Sequence, residues 1–264
     1  AATGEMVIAP EGRRLSFTAD FSNTAYIDYA NRSAAEGYEP EVTALFDIAA
    51  PNVSVVYDIG ANWGYFVAVL MSNPSFSGSV HAFEIAPRTF LDLARMVESC
   101  GLSNRVFCHA FGLSEAAGIV NIEEGTHSFL TRVSSTGKPA RVDTLDRIDL
   151  PDPDLIKIDV EGHEAAVLRG GKERLRRSNS PVVFESWHLG CAAERMLEPM
   201  RILDELGYRF FRLSPRPDGE SMCLGLMPLL IEERSIYAES LNILAVHPKR
   251  TEILEGFGAG AAAR

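Results

Sequence analysis

An aspartate and two glycines stand between two apolar segments in the stretch VVYDIGANWGYF (55–66). Glycine lets a ligand approach the backbone closely, and the free N–H groups of a strand-to-helix turn bind polar ligands. The carboxylate of Asp58 adds a negative charge that attracts a cationic group. Asp58, Gly60 and Gly64 therefore predict a turn that binds a nucleotide-like cofactor.

A second acid, Glu84, closes the next apolar segment, SVHAFEI (79–85). In nucleotide-binding α/β folds, an acid at this place accepts hydrogen bonds from both ribose hydroxyls. The alternative without a ligand is that Asp58 caps a turn and Glu84 is a solvated strand end. The two acids in this order favour cofactor binding, because each follows a segment that is typical of a strand.

The spacing of the glycines separates two classes of cofactor. A dinucleotide site uses G-x-G-x-x-G, which places pyrophosphate on a helix N-terminus, and GANWG (60–64) lacks the middle glycine. S-adenosylmethionine carries an ammonium and a sulfonium and has no phosphate, which suits an acid at Asp58. We therefore predict S-adenosylmethionine as the cofactor, and a nicotinamide-dependent oxidoreductase is the alternative enzyme.

More ionisable side chains follow two later segments, in IDVEGHE (158–164) and FESWH (184–188). Methyl transfer to a hydroxyl requires the acceptor to lose a proton, so a base is expected near these carboxyl ends. His163 is the first candidate for the base, and Asp159 and Glu185 are further catalytic candidates. The candidates for substrate binding are Glu161, Trp187 and His188.

Asp159 and Glu185 also have a metal interpretation. Carboxylates at the ends of adjacent strands bind Mg²⁺, which would lower the pKa of an acceptor hydroxyl. Two carboxylates are an incomplete ligand set for this cation, so hydrogen-bonding or base roles are favoured. Structural roles compete as well, because His163 would also suit the start of a helix and Trp187 would also suit the core.

These residues are positioned by apolar, β-branched stretches that alternate with segments of helical period. The stretches lie at 53–59, 79–85, 105–111, 154–160 and 181–187. This alternation predicts a Rossmann-like, three-layer α/β/α fold with a mostly parallel sheet. Short polar stretches within 113–145 predict a small antiparallel β insertion. Segments 208–214 and 241–248 are expected to close the sheet.

Composition and charge limit the classes of partner. The 264 residues are 46% hydrophobic and 23% charged, which is typical of one soluble domain. A net charge of −11 opposes binding to nucleic acid and to anionic membranes, so we expect neither as a partner. The four cysteines lack C-x-x-C or metal-ligand spacing, which indicates reduced thiols and a cytoplasmic location.

Five motifs, read in order, give the chain a resemblance to the FkbM-type methyltransferases over about residues 38–248. They are VVYDIGANWGYF, HAFEIAP, VDTLDRI, DLIKIDVEGHEAAVLRGG and PVVFESW. The most specific piece is KIDVEGHEAAVLRG (157–170), since the first motif is shared by most class I methyltransferases. The resemblance implies a seven-stranded sheet with a reversed last strand and S-adenosylmethionine as the methyl donor. The implied acceptor is usually a hydroxyl oxygen on a sugar, a polyketide or another small metabolite.

The resemblance also assigns a cofactor site position by position. Its residues would be Asp58, Gly60, Asn62, Gly64, Glu84, Ala110 and Phe111. The first four would form the turn at the methionine end, Glu84 would hold the ribose, and the last two would flank the adenine. His109 stands where class I enzymes often carry an acid. A module that binds S-adenosylmethionine without turnover is the alternative outside the enzymes.

The motifs divide the chain into three expected parts. They are an N-terminal extension (1–37), a methyltransferase domain (38–250) and a flexible tail (251–264). Within the domain, the β insertion lies at 113–145, and 215–240 is a candidate substrate lid. The sequence leaves the oligomeric state open.

Overall fold

The computed structural model describes residues 3–8, 15–26, 29, 38–123, 132–186, 193–218, 221–239, 241–255 and 257. The strands are β1 (Thr3–Ile8), β2 (Leu15–Asp20), β3 (Val55–Ile59), β4 (Ser79–Phe83), β5 (Val106–His109), β6 (Gly112–Leu113), β7 (Gly118–Glu123), β8 (Arg132–Ser134), β9 (Lys138–Asp143), β10 (Leu155–Ile158), β11 (Val182–Ser186), β12 (Arg209–Asp218), β13 (Ser221–Pro228) and β14 (Leu241–Val246). The helices are α1 (Pro40–Ala49), α2 (Tyr65–Ser72), α3 (Pro87–Ser99), α4 (Glu164–Arg169), α5 (Lys172–Ser178) and α6 (Ala193–Asp204). Short 3₁₀ turns span Ala50–Asn52, Glu232–Ile236 and Thr251–Leu254.

The main sheet has the strand order β13-β12-β14-β11-β10-β3-β4-β5. The run from β11 to β5 is parallel, whereas β14 is antiparallel to both of its neighbours. This confirms the predicted Rossmann-like fold with a reversed last strand. The sheet differs from the expected seven strands by one, because β13 pairs antiparallel with β12 at the edge.

Apolar clusters cover both faces of this sheet, and the site lies at the carboxyl ends of its parallel strands. One cluster includes residues of α1, α2 and α3, and the other includes residues of α4, α5 and α6. Strands that are covered on both faces need continuous apolar runs. β10, with the sequence LIKI, is buried at all four positions. The carboxyl ends of the parallel strands β3, β4, β10 and β11 therefore lie side by side at one end of the sheet. The intervening helices leave this end accessible.

The β insertion forms its own sheet between β5 and β10. Its strand order is β6-β9-β7-β8. β7 pairs antiparallel with β8 and β9, as the sequence predicts, whereas the short β6 pairs parallel with β9. Leu113 belongs to the same apolar cluster as α4 and α5, so the insertion is attached to the core beside the site.

The candidate lid is joined to the main sheet. β12 and β13 pair over Phe211–Asp218 and Ser221–Pro228, so the first part of 215–240 is a sheet edge. The fully buried Arg234 donates from Nε to Ser186 Oγ (2.8 Å) and from Nη2 to the Ser186 carbonyl oxygen (2.6 Å). These bonds fix the 3₁₀ turn after β13 to the carboxyl end of β11. Closure of this segment over a substrate remains a prediction.

Described segments near both ends of the sequence are also packed against the core. β1 and β2 form an antiparallel hairpin, and Phe17 of β2 lies 6.0 Å from Trp63 between ring centroids. In the tail, Ile253 and Phe257 are buried in the same cluster, where the sequence predicted a flexible segment. Their apolar side chains explain the difference. No helix in the described ranges is long and apolar enough to cross a bilayer.

Candidate active site

The turn between β3 and α2 contains three residues in the left-handed backbone region. Gly60, Asn62 and Gly64 have φ values of 82°, 50° and 97°. Asn62 tolerates this conformation better than most residues, and its Oδ1 accepts a hydrogen bond from the N–H of Trp63 at 2.8 Å. A Cβ on Gly60 would lie 1.8 Å from the carbonyl oxygen of Asp159. Gly60 is therefore required by a contact within the protein. The sequence analysis instead explains this glycine by the close approach of a ligand to the backbone.

Asp58 ends β3 with its carboxylate buried beneath this turn. It is 1% exposed, and neither oxygen has a hydrogen-bond partner in the described part of the chain. The nearest cation is Nζ of Lys157, 3.8 Å from Oδ1. Burial raises the pKa of Asp58 to about 6, which Lys157 opposes. Burying a carboxylate that accepts no hydrogen bond costs free energy. The two oxygens of Asp58 therefore suit a ligand group that is both cationic and a hydrogen-bond donor.

Glu84 directly follows β4 and is bound to the same turn. Its Oε2 accepts the N–H of Asn62 at 2.9 Å, and its Oε1 accepts the N–H of Ala86 at 2.7 Å. Burial raises the pKa of Glu84 to about 7. A carboxylate has about four acceptor positions, so two remain after these bonds. Glu84 can therefore hold the turn and still accept hydrogen bonds from hydroxyl groups.

The residues predicted to flank the adenine follow β5. Phe111 contacts the ring of Phe83 at 5.6 Å, and the guanidinium of Arg141 lies 4.8 Å from the Phe111 centroid. His109, the last residue of β5, stacks on Phe83 with ring centroids 4.5 Å apart. Its carbonyl oxygen accepts a hydrogen bond from the N–H of Glu84. Ala110 is exposed beside them. The predicted adenine residues thus lie next to Glu84, and the contacts of these residues with adenine and of Glu84 with ribose remain predictions.

Lys157, in the middle of β10, is a residue that the sequence analysis missed. It is 4% exposed, and its Nζ lies 3.0 Å from Oδ2 of Asp159. The same ammonium is within 4 Å of Asp58, so the carboxyl ends of β3 and β10 share one cation. The available signal is a single charge inside the apolar strand LIKI, since buried lysines are rare unless they are paired.

Glu161 and Glu164 shape the loop between β10 and α4. Glu161 has a φ of 55°, and its burial together with the charges of Asp159 and Glu185 raises its pKa to about 9. Glu161 is therefore mainly protonated at neutral pH. Glu164 is 4% exposed, and its Oε1 accepts the N–H groups of Val160 (3.2 Å) and Gly162 (3.0 Å). These bonds close the loop.

His163 precedes α4 as its N-cap residue and lines a cavity of about 230 Å³ together with Glu185. Its Nε2 lies 2.9 Å from Oγ of Ser114, which follows β6 of the insertion. Burial lowers the pKa of His163 below its usual value, so the ring is neutral at pH 7. Two of the predicted catalytic residues thus share one cavity, and Ser114 is a partner that the sequence analysis missed. Trp187 and His188 lie outside the described residues.

The residues from 58 to 210 match the methyltransferase FkbM domain, which is more than half of the 264 residues. The chain belongs to the FkbM methyltransferase family. The match begins at Asp58 and covers all of the predicted cofactor and acceptor residues. The expected resemblance is therefore confirmed.

Individual relatives of this member of the FkbM family are distant in sequence. The hexuronic acid methyltransferase AglP of Haloferax volcanii is 32% identical over 153 residues, which are 55% of this chain and 61% of that protein. The FkbM methyltransferase structure from Methylobacillus flagellatus KT aligns at 16% identity over 74% of this chain and 44% of its own, with a TM-score of 0.47. The O-methyltransferase of Bacillus cereus in complex with SAH aligns at 11% identity over 84% and 88%, with a TM-score of 0.47. The chain thus spans less than two thirds of AglP and of the first of these structures.

The residues of the turn fit the cofactor that the family implies. The orphaned carboxylate of Asp58 offers two acceptors to an ammonium group, and Glu84 retains acceptor capacity for ribose hydroxyls. Support for Mg²⁺ is lacking, because the described residues contain no group of three or more His, Cys, Asp or Glu side chains that could hold a metal ion. A larger cavity of about 1000 Å³ lies at the opposite end of the sheet, and the predicted site residues within the described ranges do not line it.

Replacing Gly60 by Ala should destabilise this member of the FkbM family strongly. The positive φ and the clash with the Asp159 carbonyl together should cost about 4 kcal/mol of unfolding free energy. Gly101→Ala is the matched control, because Gly101 has a φ of 67° and open space around its Cβ position in the described structure. Strain alone should cost that variant about 1 kcal/mol. The melting temperature should fall by roughly 10 °C in Gly60→Ala and by roughly 3 °C in Gly101→Ala. Equal losses would contradict the close approach of the Asp159 carbonyl oxygen to Gly60.

Proposed function

We propose that the protein is an S-adenosylmethionine-dependent O-methyltransferase that acts on a hydroxyl of a small metabolite or sugar. The observation that carries this proposal is the buried carboxylate of Asp58, which has no hydrogen-bond donor among the described residues and lies beside Glu84. S-adenosylmethionine supplies a methyl group that is activated by the sulfonium, together with an ammonium group. Asp58 would bind the ammonium group and Glu84 the ribose hydroxyls.

His163 is our candidate for the proton acceptor. In the tautomer that donates Nε2–H to Ser114 Oγ, Nδ1 carries the lone pair that accepts the proton of the acceptor hydroxyl. Ser114 then orients the ring, and the nearby charge of Glu115 stabilises the imidazolium that forms. The shared cavity with Glu185 supports this assignment, since a carboxylate there can accept a second hydrogen bond from a polyhydroxylated acceptor.

A sugar is the acceptor class that we favour. AglP, a relative at 32% identity, is named a hexuronic acid methyltransferase. Three acids, Asp159, Glu161 and Glu185, lie close enough together to raise the pKa of Glu161. Such a group repels anions and accepts hydrogen bonds from hydroxyls, so an uncharged sugar suits this edge better than a uronate.

The test is methyl transfer from labelled S-adenosylmethionine to a panel of acceptors. The panel contains neutral hexoses, hexuronic acids, polyketide alcohols and a tRNA pool. We expect a product that is heavier by one CH₂ unit with a neutral sugar, and binding of S-adenosylmethionine in calorimetry. Binding of the cofactor without transfer to any member would favour the non-catalytic module. Binding of NAD in place of S-adenosylmethionine would favour the oxidoreductase.

A further inference from the structure

We propose that Lys157 is a positioning residue that pairs with the buried carboxylate of Asp58, keeps it ionised and thereby prepares the turn for a cationic cofactor. The proposal rests on the proposed function, because it concerns the affinity of the same site. It adds to that function a residue inside β10 that need not touch the substrate.

The register of the sheet places Lys157 where it can reach both acids. In the parallel pairing of β10 with β3, Lys157 lies opposite Asp58, so the two side chains leave the same face. Nζ of Lys157 is 3.8 Å from Oδ1 of Asp58 and 3.0 Å from Oδ2 of Asp159. The ring of Phe66 on α2 covers the ammonium at 4.8 Å from its centroid. This geometry holds one cation between the ends of two neighbouring strands.

The burial of Asp58 and Lys157 makes the cation necessary. Asp58 is 1% exposed and Lys157 is 4% exposed, so water screens this pair weakly. Desolvation favours the neutral form of a carboxyl group, and an opposite charge within 4–6 Å favours the ionised form. Among the described residues, no other cation forms an ion pair with Asp58 or Asp159.

Lys157 itself remains charged in this environment. Burial alone would lower its pKa, but Asp159, Asp58 and Glu39 raise the pKa above the ordinary value for lysine. Burial raises the pKa of Asp58 most, Asp159 raises it further, and Glu84 is a third acid that interacts with Asp58. Lys157 opposes these effects and therefore increases the ionised fraction of Asp58 near neutral pH.

This balance predicts opposite shifts for two variants. Since the pKa of Asp58 is about 6 and that of Glu84 is about 7, wild-type affinity for S-adenosylhomocysteine should decline as the pH falls through this range. In Lys157→Met, the midpoint of this decline should move up by about 1–3 pH units, and binding at pH 7 should weaken by about tenfold. In Asp159→Asn, the midpoint should move down, because the charge that opposes ionisation is absent.

The experiment measures the dissociation constant of S-adenosylhomocysteine by calorimetry between about pH 5 and pH 9, with the carboxyl ¹³C shift of Asp58 as a second readout. Lys172→Met is the matched control, because Lys172 is paired with Glu205 at the surface. Its midpoint should equal that of the wild type. If Lys157→Met does not fold, Asp159→Asn still tests the balance.

The outcomes separate this inference from the proposed function. Midpoints that shift up in Lys157→Met or down in Asp159→Asn support the role of Lys157. Unchanged midpoints in a wild type and variants that bind the ligand would overturn that role and leave the proposed function standing. A wild type that fails to bind the ligand at any pH would overturn the proposed function, while the ¹³C titration of Asp58 would still decide on Lys157.

Discussion

Replacing Asp58 by Asn should weaken the binding of S-adenosylhomocysteine by about 30-fold to 1000-fold at pH 8. The reason is that Asp58 is a buried carboxylate whose only ion pair among the described residues is with Lys157. Removing one partner of a buried charge pair typically costs about 2–4 kcal/mol of binding free energy. Calorimetry on the wild type and on Asp58→Asn measures this difference directly.

The same variant should not lower the melting temperature at pH 8. Burial raises the pKa of Asp58 to about 6, well above the usual value for an aspartate. The free energy of unfolding therefore falls as the pH rises from the ordinary aspartate pKa to about 6, and an amide avoids that cost at pH 8. Asp149→Asn, at an exposed position, is the control for the same chemical change. A loss of binding in step with a loss of melting temperature would indicate misfolding and contradict this explanation.

Replacing His163 by Ala should lower kcat by about 100-fold or more, because general-base catalysis usually contributes that much. Binding of S-adenosylhomocysteine should remain within about twofold, since the variant leaves Asp58 and Glu84 in place. His247→Ala is the control. His247 lies just after β14 and packs against Tyr208, at the other end of the sheet. Steady-state kinetics with the acceptor found above would measure the difference.

The pH profile of kcat separates His163 from Glu161. Because burial lowers the pKa of His163 below its usual value, a rate that depends on its neutral ring should be constant at neutral and alkaline pH and fall only at acidic pH. Burial and neighbouring acids raise the pKa of Glu161 to about 9, so a rate that depends on its carboxylate would keep rising well above pH 7. A rising profile that Glu161→Gln abolishes would assign the base to Glu161.

Local signals explain what the sequence predicts correctly. The alternation of apolar and helical segments predicts the order from β3 to β11, because each element carries its own period. Glu84 follows β4 directly, and its bond to Asn62 brings the two predicted cofactor motifs together at 2.9 Å. The order of the strands and the acids that follow them are therefore enough to predict this turn from the sequence.

Long-range contacts explain what the sequence does not reveal. Ser114 meets His163 across 49 positions of the chain, through a β insertion whose packing has no local motif. Lys157 is visible only as a charge in an apolar strand, and its partners follow from the register with β3. β13 has no helical or turn signal that distinguishes an extra edge strand from a loop. Asp159 interacts with Lys157 rather than lining the cavity of His163.

The most direct test of the central claim is a crystal structure of the protein with S-adenosylhomocysteine. We predict that the ligand lies over the turn between β3 and α2, with its ammonium against the carboxylate of Asp58 and its ribose hydroxyls against Glu84. A ligand that binds elsewhere, or binds with both carboxylates facing away from it, would contradict the proposed site.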